Sequence, residues 1–184
     1  SQTYTINGGT QVEANLFHSF QQFGLSTNEI ANFLANPDVA NILARVSGGQ
    51  TSVINGLLEV SDGNNANLFI LNPAGVLLGR NANLNLSGSF AASTASGLTF
   101  GDNVFNATGS NDYSALTGNP TGYVFLGHEG SLLNEADLAV NPDESLALVG
   151  STVINTGDLT APGGNVSIVA VPEQGILRIS QDGL

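Results

Sequence analysis

Asn55 to Thr99, NGLLEVSDGNNANLFILNPAGVLLGRNANLNLSGSFAASTASGLT, decides the fold. Apolar bursts (Leu57-Leu58, Leu68-Phe69-Ile70-Leu71, Val76-Leu77-Leu78, Leu84 with Leu86, Phe90-Ala91-Ala92) alternate with Asn, Gly, Asp and Ser. Each burst is too short for a stable helix and is bounded by turn formers, which reads as strands. Such close turns leave no room for crossover helices. An antiparallel sandwich and a parallel solenoid both remain, and the Asn-Gly punctuation favours the solenoid. Corners need residues that tolerate left-handed backbone, and stacked corner Asn side chains can hydrogen-bond in ladders.

Outward from this stretch, the pattern changes. Tyr4 and Ile6 alternate with polar residues, Asn7-Gly8-Gly9 supplies a turn and Val12 starts a second alternating run, which predicts a hairpin. A solenoid needs a cap at its first rung, and residues 1–23 are the candidate. Phe17, Phe20 and Phe23 form either one helical face or an aromatic cover over the core end. Ile30, Phe33 and Leu34 fit a helical face after Ser26 or Thr27, whereas Asn41 to Val46 fits helix or strand. Residues 101–122 break the rhythm and predict a hairpin-like excursion outside the coil. Rungs are expected to resume at Tyr123–Leu126 and to continue through Val166–Val169 and Ile176–Ile179. Rungs of about 20 residues are expected, with Leu68, Ile70, Val76, Leu84, Leu86, Phe90, Val166 and Ile168 facing the core. The absence of a cap before Leu184 and of an initiating Met reads as a processed fragment of a longer solenoid.

Composition narrows function. The 184 residues suit one domain with an ample core. Fifteen acidic residues face three arginines (Arg45, Arg80, Arg178) and no lysine, and the net charge of -12 repels phosphate backbones. Charged residues are nevertheless only 10% of the chain, so the composition is not that of a disordered segment. Without cysteine there is no disulfide or thiolate chemistry, and zinc would have only two histidines plus carboxylates. No apolar run reaches the ~20 residues of a membrane helix.

Catalytic patterns are weak. Asp143-Glu144 follows Pro142 and reads as a solvated turn rather than a glycosidase pair. His18 lies in the cap, and His128-Glu129-Gly130 reads as an exposed corner, with no nucleophile elbow near either. Calcium-loop spacings are absent, Asp62-Gly63 and Asp158 read as corners, and the missing lysine excludes a P-loop. No catalytic, cofactor or metal residue is assigned.

Four segments in order carry a family resemblance: GGTQVEANLFHSFQQF (8–23), NPDVANILARVSGG (36–49), the run 65–94, and YVFLGHEGSLLN followed by 145–171. Together they resemble the N-terminal secretion domain of two-partner secretion exoproteins of the filamentous haemagglutinin type, with the later segments similar to its cyanobacterial branch. The resemblance implies an all-β, right-handed parallel β-helix with an N-terminal cap (1–23), a coil over 24–184 and extra-helical β elements near 101–122. It also implies a non-enzymatic, monomeric secretion signal without cofactors. The implied partner is a TpsB-type (Omp85) outer-membrane transporter, which reads the signal through its periplasmic POTRA domains. The chain would then be secreted or cell-surface, and the cap would nucleate folding after export. The family's NPNL and NPNG motifs map onto Asn36-Pro37-Asp38-Val39, with Asp and Val substituted, and onto Asn72-Pro73-Ala74-Gly75, with Ala substituted. Both keep the turn-forming Asn-Pro and are the candidate recognition residues. The competing readings are an adhesion or carbohydrate-binding β-helix and, more remotely, a polysaccharide-degrading enzyme.

Overall fold

The computed structural model describes residues 1–180. Most of its strands lie on three faces that the chain visits in rotation. Face I holds β1 (Gln2–Ile6), β4 (Glu29–Leu34), β7 (Leu57–Ser61) and β10 (Asn83–Asn85), and the short pair β16 (Leu138–Ala139) and β19 (Leu159–Thr160) follows beside β10. Face II, the longest sheet, stacks β2 (Thr10–Val12), β3 (Asn15–Phe20), β5 (Asn41–Val46), β8 (Asn67–Leu71), β11 (Phe90–Ser93), β17 (Leu146–Gly150) and β20 (Val166–Ala170). Face III holds β6 (Ser52–Ile54), β9 (Val76–Leu78), β15 (Leu132–Asn134) and β18 (Val153–Asn155). Apart from β2 against β3, every pair on these faces is parallel. This is an all-β fold of the parallel β-helix type.

The circuit length is uneven. Equivalent corner positions recur 26 residues apart at Asn15, Asn41 and Asn67, then 22 apart at Ser89 and 20 apart between Ser145 and Asn165. The first circuits are thus longer than expected. Ser89 and Ser145 are 56 apart because one circuit carries the excursion. That excursion is an antiparallel sheet of β12 (Gly97–Phe100), β13 (Asn103–Asn106), β14 (Gly122–Phe125) and β21 (Gly175–Arg178), with a single 3-10 turn at Tyr113–Ala115.

Two cores result, because face II buries both of its sides. Inward residues Leu16, Ile42, Leu68, Phe90 and Leu146 fill the coil. Outward residues Phe17, Leu43, Phe69, Ala91 and Ala147 pack beneath the antiparallel sheet with Leu98, Phe105, Tyr123 and Phe125. This explains why β8 and β11 read as continuous apolar runs rather than alternating ones. Each fully buried Leu or Phe contributes on the order of 1.5–3 kcal/mol.

Several expectations are corrected. Val166 and Ile168 are 43% and 48% exposed, since no further described coil covers the open side of β20. Leu68, Ile70, Val76, Leu86 and Phe90 are buried, and Leu84 is half-buried against the core. The N-terminal hairpin does not form: β1 pairs parallel with β4, and β2 pairs antiparallel with β3. Gly8 and Gly9 (φ 75° and 84°) turn the chain from face I to face II instead, and a Cβ at Gly9 would lie 2.6 Å from the Phe17 carbonyl.

Ile30, Phe33 and Leu34 lie on β4, not on a helix, because β1 and β7 supply its hydrogen bonds on both sides. Phe17 and Phe20 are likewise on a strand, Phe17 facing the outer core while Phe20 and Phe23 pack at the end of the inner one. Tyr123–Leu126 and Ile176–Ile179 are not coil rungs: β14 and β21 within them pair with each other in the antiparallel sheet. The uncapped end expected at Leu184 lies outside the described residues.

Candidate functional site

The two Asn-Pro motifs build the same local turn. Asn36 Oδ1 accepts the Asp38 amide at 3.0 Å, and the Val39 amide donates to the Asn36 carbonyl at 3.1 Å. Asn72 Oδ1 likewise accepts the Ala74 amide at 2.9 Å, and the Gly75 amide donates to the Asn72 carbonyl at 3.1 Å. Side-chain capping two residues ahead is why Asn precedes Pro at both corners.

Their surroundings differ. Asn36, Pro37 and Asp38 are exposed, and only Val39 is buried. The Asn36 amide nitrogen donates to Gln11 Oε1 at 2.8 Å, tying this corner to β2. Asn72 is fully buried and donates to the Gln50 carbonyl (2.9 Å) and to Ser52 Oγ (3.0 Å), with Pro73 and Ala74 half-buried and Gly75 buried. Gly75 has φ 130°, which favours glycine, and a Cβ there would sit 3.1 Å from Thr51 Oγ1. The structure does not bring the motifs together: Asn36 turns face I into face II, and Asn72 turns face II into face III.

A further Asn-Pro pair forms the same kind of turn. Asn141-Pro142-Asp143-Glu144 repeats Asn-Pro-Asp at the corner used by Asn36, with the Glu144 amide donating to the Asn141 carbonyl. Asp143 takes φ 68°, and the Glu144 carboxylate accepts Ser89 Oγ at 2.7 Å.

Along this corner runs the expected polar ladder. Asn67 donates to Asn41 Oδ1 (3.1 Å) and Asn41 to Asn15 Oδ1 (3.0 Å). The Ser89 amide then donates to Asn67 Oδ1, the Ser145 amide to Ser89 Oγ, and the Asn165 amide to Ser145 Oγ. The excursion docks onto it: Asn15 donates to the carbonyls of Leu116 and Gly118, and Asn41 to Asn119 Oδ1. Arg45 adds a second tie, donating to Ser19 Oγ and to the carbonyls of Asn106 and Gly109. The spacing 15, 41, 67 was the sequence signal for this ladder.

Glu129 corrects the reading of 128–130 as an exposed corner. His128 is exposed, but Glu129 is buried and its carboxylate accepts Ser96 Oγ and the amides of Leu126, Gly127 and His128. Burial pushes its pKa up, yet hydrogen bonds from the Ser96 hydroxyl and from the backbone amides of Leu126, Gly127 and Glu129 itself outweigh that and hold it below the usual carboxylate range. It thereby fastens the point where the excursion rejoins face III. His18 is buried in the inner core with no partner on Nε2, and burial lowers its pKa. Among the described residues no group of three or more His, Asp or Glu could hold a metal, and no helix is long and apolar enough to cross a membrane.

Comparison with known proteins agrees with this architecture. No curated protein matches the sequence. Among solved structures, the crystal structure of the HMW1 secretion domain from Haemophilus influenzae superposes with a TM-score of 0.63 at 24% identity, which shows a shared fold. The match covers 85% of this chain but only 38% of that one, so this chain spans well under half of that structure's length. The model of the TPS secretion domain matches residues 1–184, the whole sequence. The chain therefore belongs to the TPS secretion domain family, the secretion domains of two-partner secretion exoproteins.

Proposed function

We propose that this domain is the secretion signal of a large exoprotein, read in the periplasm by the POTRA domains of a TpsB-type outer-membrane transporter. The observation that carries this reading is the family match over the whole sequence. After export across the outer membrane the cap and first coils template the following coils of a right-handed solenoid, as nearest-neighbour energetics of repeats allows. The domain acts as a monomer, without cofactor and without catalysis. Residues 36–39 and 72–75 are proposed to shape the signal through their turns, with recognition concentrated in residues 3–41. That segment holds the atypical first strands and the exposed Asn36 corner, and it contains no cation.

Capture of the chain by the transporter's POTRA domains tests this. Deletion of residues 3–23 is expected to abolish capture, and deletion of 103–117 to weaken it little. Full capture of the first deletion overturns the placement of the signal. Failure of the intact chain to bind overturns the function itself.

A further inference from the structure

Coils of a β-helix touch only their neighbours, so stability is ordinarily passed along the stack one coil at a time. Face II stacks β3, β5, β8, β11, β17 and β20 in that order. At about 4.8 Å per strand, β3 and β20 stand about 24 Å apart. The antiparallel sheet, in the order β13-β12-β14-β21, runs over the outward side of these strands. At one end Phe105 of β13 packs on Phe17 of β3, with ring centroids 4.9 Å apart. At the other, Tyr123 of β14 and Leu177 of β21 line one cleft with Ala147 and Val149 of β17 and Ser167 and Val169 of β20. One sheet therefore touches coils that do not meet in the stack.

The first coils depend on this cover. Phe17, Leu43, Phe69 and Leu71 point away from the inner core and are buried beneath the sheet. Asn15 is fully buried, and both acceptors of its side-chain amide, the carbonyls of Leu116 and Gly118, belong to the excursion. Buried Asn41 reaches Asn119 Oδ1, and Arg45 reaches the carbonyls of Asn106 and Gly109 at 2.9 and 2.7 Å. Without the excursion these donors would lose partners and the apolar side chains would meet water.

The far end of the chain closes the same sheet. β21 follows β20 and pairs with β14, and the Ile179 amide donates to the Thr121 carbonyl at 3.0 Å. β14 is thus held between β12 and β21.

We infer that the antiparallel sheet is a splint that couples the first coils to the last, so that β3 and β5 open only when the sheet lets go. The inner stack transmits stability between neighbours, and the splint transmits it past them. Resting on the function proposed above, the cap and first coils become a fixed template after export once residues 175–178 have joined the sheet.

Native-state hydrogen exchange on the full chain, for wild type, Leu177→Ala and Leu159→Ala, tests this. Both leucines are half-buried at the far end of the stack from β3, Leu177 against the outer core and Leu159 against the inner one. Leu177→Ala is expected to speed exchange of the β3 and β5 amides about tenfold, by the same factor as those of β12 and β14. Leu159→Ala is expected to act on β16, β19 and β20 and to leave β3 and β5 at wild-type rates. Unchanged β3 and β5 rates in folded Leu177→Ala overturn the inference. An equal rise from Leu159→Ala overturns it too, because the stack alone then carries the coupling. Wild type supplies a measurement that depends on neither variant: under rising urea the amides of β3, β5, β12 and β14 should share one opening with one urea slope. Exchange of β3 and β5 through a smaller opening that leaves β12 and β14 protected overturns the inference as well. None of these readouts uses the transporter, so their failure leaves the secretion function standing. Failed capture of the intact chain overturns that function and its consequence for export, not the coupling.

Discussion

Replacing Asn72 by Ala should cost far more than the same change at Asn36, although both begin an Asn-Pro turn. Asn72 is fully buried and loses three bonds, to the Gln50 carbonyl, Ser52 Oγ and the Ala74 amide. Each intramolecular bond contributes about 1 kcal/mol net, and a buried group left without a partner costs about 1–3 kcal/mol. Ser52 is itself fully buried and water cannot replace its partner, whereas Gln50 is exposed and rehydrates. The sum is about 3 kcal/mol for Asn72→Ala. At Asn36 the bonds to Asp38 and Gln11 lie in solvent, so Asn36→Ala should cost about 0.5–1 kcal/mol. Urea unfolding followed by far-ultraviolet circular dichroism would read both from the midpoint at unchanged slope. Equal losses at the two positions, or less than about 1 kcal/mol at Asn72, would refute the assignment of Asn72 to the interior hydrogen-bond network.

Three further outcomes are expected. Asn41→Ala should destabilise by about 2–3 kcal/mol by leaving Asn15 and Asn67 without their shared partner, and should speed hydrogen exchange at the excursion residues around Asn119. Phe105→Ala should cost about 3–5 kcal/mol in chemical unfolding, because Phe105 is fully buried against Phe17 and Tyr113 under the antiparallel sheet. Burial holds the His18 pKa below its ordinary 6.5. The neutral ring therefore supports the fold fully above the unfolded-state value, and that support is lost as pH falls below it. Unfolding midpoints of wild type should drop between about pH 7.5 and pH 5.5 more steeply than those of His18→Leu, and identical slopes would count against it.

Short apolar bursts between turn residues were enough, from the sequence alone, to specify strands, a stacked parallel coil over residues 65–94, an excursion after Gly101 and Asn-based corners. Those features depend on local backbone preference and on repetition, which a linear pattern carries. Even the ladder was written in it, as asparagines 26 residues apart at positions 15, 41 and 67. What the tertiary structure decided is which neighbour each strand takes. β1 passes over β2 to pair with β4, and β14 and β21 leave the coil for an antiparallel sheet, because pairing depends on contacts distant in sequence. The helical spacing of Ile30, Phe33 and Leu34 yielded to the ladders offered by β1 and β7. Burial was decided there as well: Val166 and Ile168 carry the same apolar pattern as Leu68 and Ile70, yet only the latter have strands stacked on both sides. Glu129 shows the same limit for a charge: the amides of Leu126, Gly127 and His128 are its sequence neighbours, but Ser96, 33 residues away, reaches its carboxylate only through the folded excursion.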